Sequence, residues 1–304
     1  MDMTEVVSQM GILVFVMIVG FACAKLGVTN SDSNKHLSNI VMNVLLVCTI
    51  LYSVMNTEME MDLADLGFVL LSFVVMFVVL SALGWVTAKV LRPGAERKGI
   101  TFFAVTFANT VFLGFPVIEA MYGADGIFIA TISNIPFNLM AYTVGYGAVR
   151  GGMKGLTLRK ALAPPLVASF VAVLIFLSGV EIPEFVADCF GSMSGATIPM
   201  SMLIVGTSLG SVSLKGAAEN WRVFVVVAIK LIVAPILAWL VTSLFVKDEM
   251  LLGVIVVLSS APTAMIATIF AIEAGRDEGY ASECVFIGTV LSAVTMPLMI
   301  WLLL

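Results

Sequence analysis

The chain has 304 residues, of which 61% are hydrophobic and 12% charged, where soluble domains carry about 25% charged residues. That composition excludes a soluble globular protein and predicts a polytopic integral membrane protein. The net charge of -5 says little about partners, because nearly all the charges sit in short loops and their placement matters more than their sum.

The chain opens on MDMTEVVSQM, which is acidic and lacks the basic region of a secretory signal, so the apolar stretch behind it reads as a retained first span. A bilayer core of about 30 Å takes roughly 20 apolar residues per helix. Ten such spans fit, near 5–27, 36–56, 66–89, 98–122, 126–149, 162–179, 189–210, 221–246, 250–274 and 280–303. No soluble domain fits between them, and the longest hydrophilic connection runs only from Arg150 to Lys160. That connection divides a single membrane domain into 1–150 and 151–304, with five spans each. Five is odd, so the second half enters the membrane from the opposite side to the first. The predicted fold class is therefore an all-α membrane protein, with ten transmembrane helices arranged as a 5+5 inverted repeat. Cys23, Cys48, Cys189 and Cys284 fall within apolar spans without close spacing and read as free thiols packed as small hydrophobes.

Charge supports the count. Lys25/Lys35, Lys89/Arg92/Arg97/Lys98, Arg150/Lys154/Arg159/Lys160, Lys215/Arg222 and Arg276 fall in alternate loops. The loops between them hold Glu58/Glu60/Asp62/Asp65, Asp125, Glu181/Glu184/Asp188 and Lys247/Asp248/Glu249, mostly acidic. The positive-inside rule then puts both termini outside, in a multi-pass protein of the cytoplasmic membrane.

Two spans carry residues that disfavour a continuous helix. From Ile100 to Gly123 the fourth span reads ITFFAVTFANTVFLGFPVIEAMYG, with Asn109, Thr110, Gly114 and Pro116 in mid-membrane. A proline there lacks an N–H and clashes with the carbonyl four residues back, in a medium where every backbone group must be paired internally. The ninth span, in the same slot of the second half, carries SSAPTAMIATIF, with Ser259, Ser260, Pro262 and Thr263 at similar depth. Paired interrupted spans point to a transporter's binding site. Half-helix N-termini suit an anion, and freed carbonyls suit a cation. A pair of ordinary proline kinks is the plainer alternative.

Asn134 and Asn138 of the fifth span lie one helical turn apart, as do Thr289 and Ser292 of the tenth, so each pair shares a face. Lining a pathway and joining helices are both open for them. Lys230 is the one basic residue deep in a span, in KLIVAP before Pro235. An intramembrane charge is a functional candidate by default. Three roles are open to it: capping freed carbonyls in place of a bound cation, touching substrate, or coupling to protons. Glu119 and Glu273 lie nearer span ends. Gly206-Thr-Ser-Leu-Gly210 spells a nucleophile elbow but sits in an apolar helix, far in topology from the only histidine, His36. Close helix packing explains its small residues better. No metal, phosphate-loop or nucleic-acid motif appears. The expectation is no catalytic residue, no metal and no cofactor, with H+ or Na+ as the coupling ion if there is one.

NTVFLGFPVIEAMYG at 109–123, TIPMSMLIVGTSLG at 197–210, KLIVAPIL at 230–237, APTAMIATIFAIEAG at 261–275 and ASECVFIGTVLSAVTMPL at 281–298 resemble the auxin efflux carrier family. That family sits within the superfamily of the bile acid sodium symporters. The resemblance implies a scaffold domain, a transport domain whose two broken helices cross at Pro116 and Pro262 with Asn109 beside the substrate, elevator-type alternating access and a homodimer. Bacterial relatives usually carry a proline in the second span, around Val47, which this chain lacks. The plant exporters' long central hydrophilic loop is also missing, so their phosphorylation-based regulation does not carry over.

The resulting expectation is a secondary active or facilitative transporter of a small organic anion, a carboxylate of malonate-like, malate-like or auxin-like type. Its expected partners are that anion and the lipid bilayer, with no nucleic acid. The binding residues read from the sequence are Asn109, Thr110, Gly114, Pro116, Asn134, Asn138, Ser260, Pro262, Thr263 and Thr289, with Lys230 as a coupling or helix-capping charge. The alternatives are a cation or proton antiporter on a related fold, or an anion-binding membrane sensor that does not transport.

Overall fold

The computed structural model describes residues 3–152, 162–180, 182–211 and 220–304. Most of the hydrophilic connection after Arg150, with Lys154, Arg159 and Lys160, lies outside the described residues, as do Glu181 and Lys215. The regular structure described is helical throughout. Among the described residues six helices are long and apolar enough to cross a membrane, and three shorter apolar helices, Gly11–Lys25, Pro164–Ser178 and Glu249–Ser260, accompany them.

We number the helices α1 (Met3–Lys25), α2 (31–55), α3 (Leu63–Leu91), α4 (Ala95–Thr106), α5 (110–122), α6 (124–150), α7 (Pro164–Ser178), α8 (Glu184–Ser194), α9 (Thr197–Ser211), α10 (221–242), α11 (Glu249–Ser260), α12 (Ile266–Glu273) and α13 (Glu278–Leu303). Local chemistry sets their ends. Asn30 and Ser33 close a capping box at the start of α2, and Asp248 accepts the Leu251 N–H at 2.6 Å to cap α11. α7 opens on Pro164 and stops at Gly179, whose φ of 60° favours glycine. Gly123 has φ 60° and ψ -146°, and this non-helical joint separates α5 from α6. Single π-turns widen α2 at Val41–Leu45, α5 at Thr110–Gly114, α6 at Ala141–Gly145 and α10 at Ile229–Val233. Two of them end two residues before a proline, Pro116 and Pro235. A wide turn there moves the carbonyl that the proline ring would otherwise strike.

The chain divides into two compact units, each drawn from both halves of the sequence. The first comprises 1–71, 111–135 and 162–212. Within it α1 and α9 approach closely enough that a Cβ on Gly206 would sit 1.9 Å from the Met17 carbonyl, and one on Gly20 2.4 Å from that of Leu203. This is the small-residue contact of membrane helices, as the Gly206–Gly210 spacing predicts. Thr49 shares a hydrogen bond of 2.8 Å with Thr197 and accepts one of 3.1 Å from Ser194, a buried hydroxyl cluster joining α2 to α8 and α9. Asn34 donates to the Ser208 hydroxyl at 2.7 Å. The start of α2 therefore lies against Ser208, contrary to the topological separation expected from the sequence. His36 is nevertheless exposed, because two residues along a helix turn it away from the Asn34 face.

The second unit comprises 72–110, 136–161 and 213–304. One end of it is tied by polar contacts. Arg97 donates to Asp277 at 2.6 Å, Arg276 donates to Glu96 at 2.9 Å and to the Arg150 carbonyl at 2.8 Å, and Thr101 shares a hydrogen bond of 2.9 Å with Tyr280. These contacts join loops that the charge alternation assigns to one side. In the first unit Thr57 and the Glu58 N–H both donate to Asp125, joining two loops of the other side.

Partial burial raises the Asp277 carboxyl, but the Tyr280 N–H and the Arg97 guanidinium outweigh it and hold the group below its ordinary value of 3.8. A depressed carboxylate contributes stability above its unfolded pKa and loses it as pH falls through the folded one. The pair is partly exposed, with side-chain exposures of 36% and 28%, so its worth is at most about 1 kcal/mol. Asp277→Asn keeps the helix cap and is expected to melt slightly below the parent at pH 7. Thermal melts should show that gap closing below about pH 4.

Candidate functional site

The two interrupted spans meet inside the second unit. α4 ends at Thr106 and α11 at Ser260, and the extended residues that follow pair with each other. Ala108 and Thr263 form an isolated antiparallel bridge. The Asn109 N–H donates to the Pro262 carbonyl at 2.7 Å, and the Ala264 N–H donates to the Phe107 carbonyl at 3.0 Å. The Thr263 hydroxyl donates to the Ala104 carbonyl at 3.0 Å, the acceptor that a continuing helix would have offered to residue 108. Backbone groups released by each break are thus satisfied by the other, as a non-helical segment at membrane depth requires. The breaks are one structure.

The crossing falls at Ala108 and Thr263, where the resemblance had implied Pro116 and Pro262. Pro262 does lie in its break, but Pro116 is eight residues beyond Ala108, inside α5, because the π-turn at 110–114 absorbs its ring. Asn109 is the centre of a three-residue turn closed by the Thr110 N–H on the Ala108 carbonyl at 2.9 Å. Positive φ among non-glycine residues occurs only at Arg92 in the described residues, so the turn is the inverse, unstrained kind.

Four rings anchor the first break. Phe107 is fully buried against Phe103, with ring centroids 4.7 Å apart, and against Phe137, Phe77 and Phe102 at 5.9, 6.3 and 6.5 Å. Gly145 makes room, since a Cβ there would meet the Phe103 and Phe107 rings at 2.8 Å. Behind the second break stands Gly288 of α13, where a Cβ would sit 3.5 Å from that of Pro262.

Asn109, Thr110, Ser260, Pro262 and Thr263 are thereby brought together, all buried. The Thr110 hydroxyl is buried without a hydrogen-bond partner, and no side chain caps the N-terminus of α12. Ser259 and Ser260 turn their hydroxyls back onto the Val256 carbonyl, at 3.1 and 2.6 Å. Thr289 likewise donates to the Val285 carbonyl at 2.7 Å, and Ser292 to the Thr289 carbonyl at 2.8 Å. Gly114, Pro116 and Asn134 belong to the first unit, where Asn134 donates to Ser169 of α7 at 3.4 Å, whereas Asn138 belongs to the second. Glu119 is half-buried and Glu273 exposed.

Lys230 lies in the wide turn of α10, fully buried, and its ammonium donates to the Ser259 carbonyl at 3.3 Å. The residues on which sequence reasoning was silent are Phe107, Ala108 and Ala264, which build the crossing through their backbones, and the Thr49–Ser194–Thr197 cluster. Only the cluster left a signal, as hydroxyls in the second and seventh spans. Among the described residues no group of three His, Cys, Asp or Glu side chains could hold a metal ion.

A family model described as membrane transport protein matches residues 5–154 and 148–300. An uncharacterized transporter of Methanothermobacter thermautotrophicus is 27% identical over 309 aligned positions, covering 98% of this chain and 97% of that protein. An uncharacterized transporter of Methanocaldococcus jannaschii is 25% identical over 303 positions, covering 96% of this chain and 97% of that protein.

Proposed function

Because the chain belongs to the membrane transport protein family, the family of the auxin efflux carriers, we propose that it is a carrier of a small organic anion that binds where the break after α4, at 107–110, crosses the break after α11, at 261–265, within the second unit. The observation that carries this reading is the mutual bridge at Ala108 and Thr263. It holds Asn109 and Thr110 within two residues of one side of the bridge, and the uncapped start of α12 within three residues of the other. Helix N-termini present N–H groups and a partial positive charge, which suit a carboxylate. The crossing stretches 104–110 and 259–266 contain no Asp or Glu, the side chains a cation site would ordinarily use.

Ten crossings follow if α4 with α5, α8 with α9, and α11 with α12 each make one span. The division into units favours the inverted repeat. The first unit takes the first two spans of each half together with 111–135, and the second takes 72–110, 136–161 and the eighth, ninth and tenth spans, so the first two spans of each half stay together. In this reading the first unit is the scaffold and the second, which holds the crossing, is the transport domain of an elevator. Both termini lie outside the cytoplasmic membrane.

Counterflow in proteoliposomes tests the proposal. Vesicles preloaded with mono- and dicarboxylates are expected to accumulate the matching labelled acid, and a sodium or pH gradient alone is expected to move no cation. Gradient-driven cation flux without organic substrate would make the protein an antiporter. Tight binding of an acid without exchange would make it a sensor.

A further inference from the structure

Two kinds of half-helix end meet at a crossing, and the C-terminal ends carry the opposite charge to the N-terminal ones. α11 ends at Ser260, and its last carbonyls lose their intrahelical partners because the chain departs into the bridge. The N–H that would serve Ser259 in a continuous helix is that of Thr263, which now lies in the bridge. The Ser259 carbonyl accepts the Lys230 ammonium instead, at 3.3 Å. Freed carbonyls of this kind, at the C-terminal end of a broken membrane helix, are what holds an alkali cation in carriers that couple to one.

Three features make Lys230 more than a surface charge with its stem buried. Its side chain has 0% exposure, so the ammonium does not reach water or headgroups. No carboxylate pairs with it among the described residues, where its polar partner is the Ser259 carbonyl. It is delivered by the π-turn Ile229–Val233, where α10 is widened ahead of Pro235. A buried charge without a counter-ion is costly unless a fixed dipole compensates it, and the end of α11 supplies that dipole.

We infer that Lys230 is a tethered cation occupying a monovalent-cation site at the C-terminal end of α11, so that the crossing holds its positive charge covalently and needs no alkali ion to bind an anion. The inference deepens the carrier reading and rests on it for its consequence. The cation site itself can be tested without any organic substrate, so each can fail alone.

The test is thermal melting of the purified protein in detergent, at matched ionic strength in sodium, lithium, potassium or choline chloride. The parent is expected to melt at the same temperature in all four. Lys230→Ala, which removes the ammonium and leaves the carbonyls, is expected to melt lower in choline and to regain several degrees in saturating fashion with one of the alkali ions. Lys230→Gln keeps a donor for Ser259 without the charge and should show the same cation dependence if the alanine variant does not fold. Lys230→Arg should remain indifferent to the cation. A folded neutral variant with no alkali response overturns the inference. So does an ion-specific shift of the parent, a result that stands even if neither neutral variant can be purified.

Discussion

Asn109→Ala is expected to lower counterflow roughly tenfold to a hundredfold while the protein still inserts and melts near the parent temperature. The bond that Asn109 gives to the crossing comes from its backbone N–H, which reaches the Pro262 carbonyl at 2.7 Å. Alanine keeps that N–H and can occupy the same unstrained turn, so the bridge survives. What goes is a buried amide beside the N-terminal end of α5. A hydrogen bond to a charged partner is worth about 1.5–3 kcal/mol, and each 1.4 kcal/mol is a factor of ten in binding. Asn109→Asp separates the anion reading from its rival. It puts a carboxylate at the crossing, which repels an anion but improves a cation site, so anion exchange should fall further than with alanine. Unchanged exchange in Asn109→Ala would remove the side chain from the site.

The crossing was half legible. Asn109, Pro116 and Pro262 stand out in apolar spans, because a residue that cannot pair its backbone or bury its amide is conspicuous in hydrocarbon. Their pairing across the two halves needed only a count of spans. The position of the first break was not legible, because Ala108 is chemically silent. A proline marks where a helix is weakened, but the π-turn at 110–114 accommodates Pro116, and the opening falls where Thr263 and Ala264 supply partners. The π-turns of α2 and α6, without a proline two residues on, were equally silent. Lys230 announced itself by charge alone. Its partner, a backbone carbonyl 29 residues away, carries no residue code at all. The aromatic anchor of Phe77, Phe103, Phe107 and Phe137 carries no signal in the sequence that sets it apart from other apolar residues. Which phenylalanines turn inward depends on the packing of α3, α4 and α6, and hydropathy does not register it.

Where the sequence spoke through small residues, the packing answers directly, and the second large effect follows. Gly206→Val is expected to destabilise the protein by more than about 3 kcal/mol and to reduce the yield of folded protein sharply. Overpacking a well-filled contact usually costs about 1–3 kcal/mol, because side chains can shift into other rotamers. Here the obstruction is main chain. A Cβ on Gly206 would lie 1.9 Å from the Met17 carbonyl and 2.8 Å from the Phe21 nitrogen, so relief requires α1 and α9 to separate. Separation also pulls Gly20 away from Leu203 and Gly210 away from Phe21, contacts that depend on the same close approach. Membrane helices gain little from apolar burial against one another, so losing this packing removes much of what holds the pair. Gly11→Ala provides the control within α1, since a Cβ at Gly11 meets nothing within 4 Å. It should be neutral or gain up to about 1 kcal/mol from helix propensity. Unfolding in graded denaturant, read by tryptophan fluorescence, would distinguish the two. Equal midpoints for the valine and alanine variants would mean that the α1 and α9 backbones do not touch at this glycine.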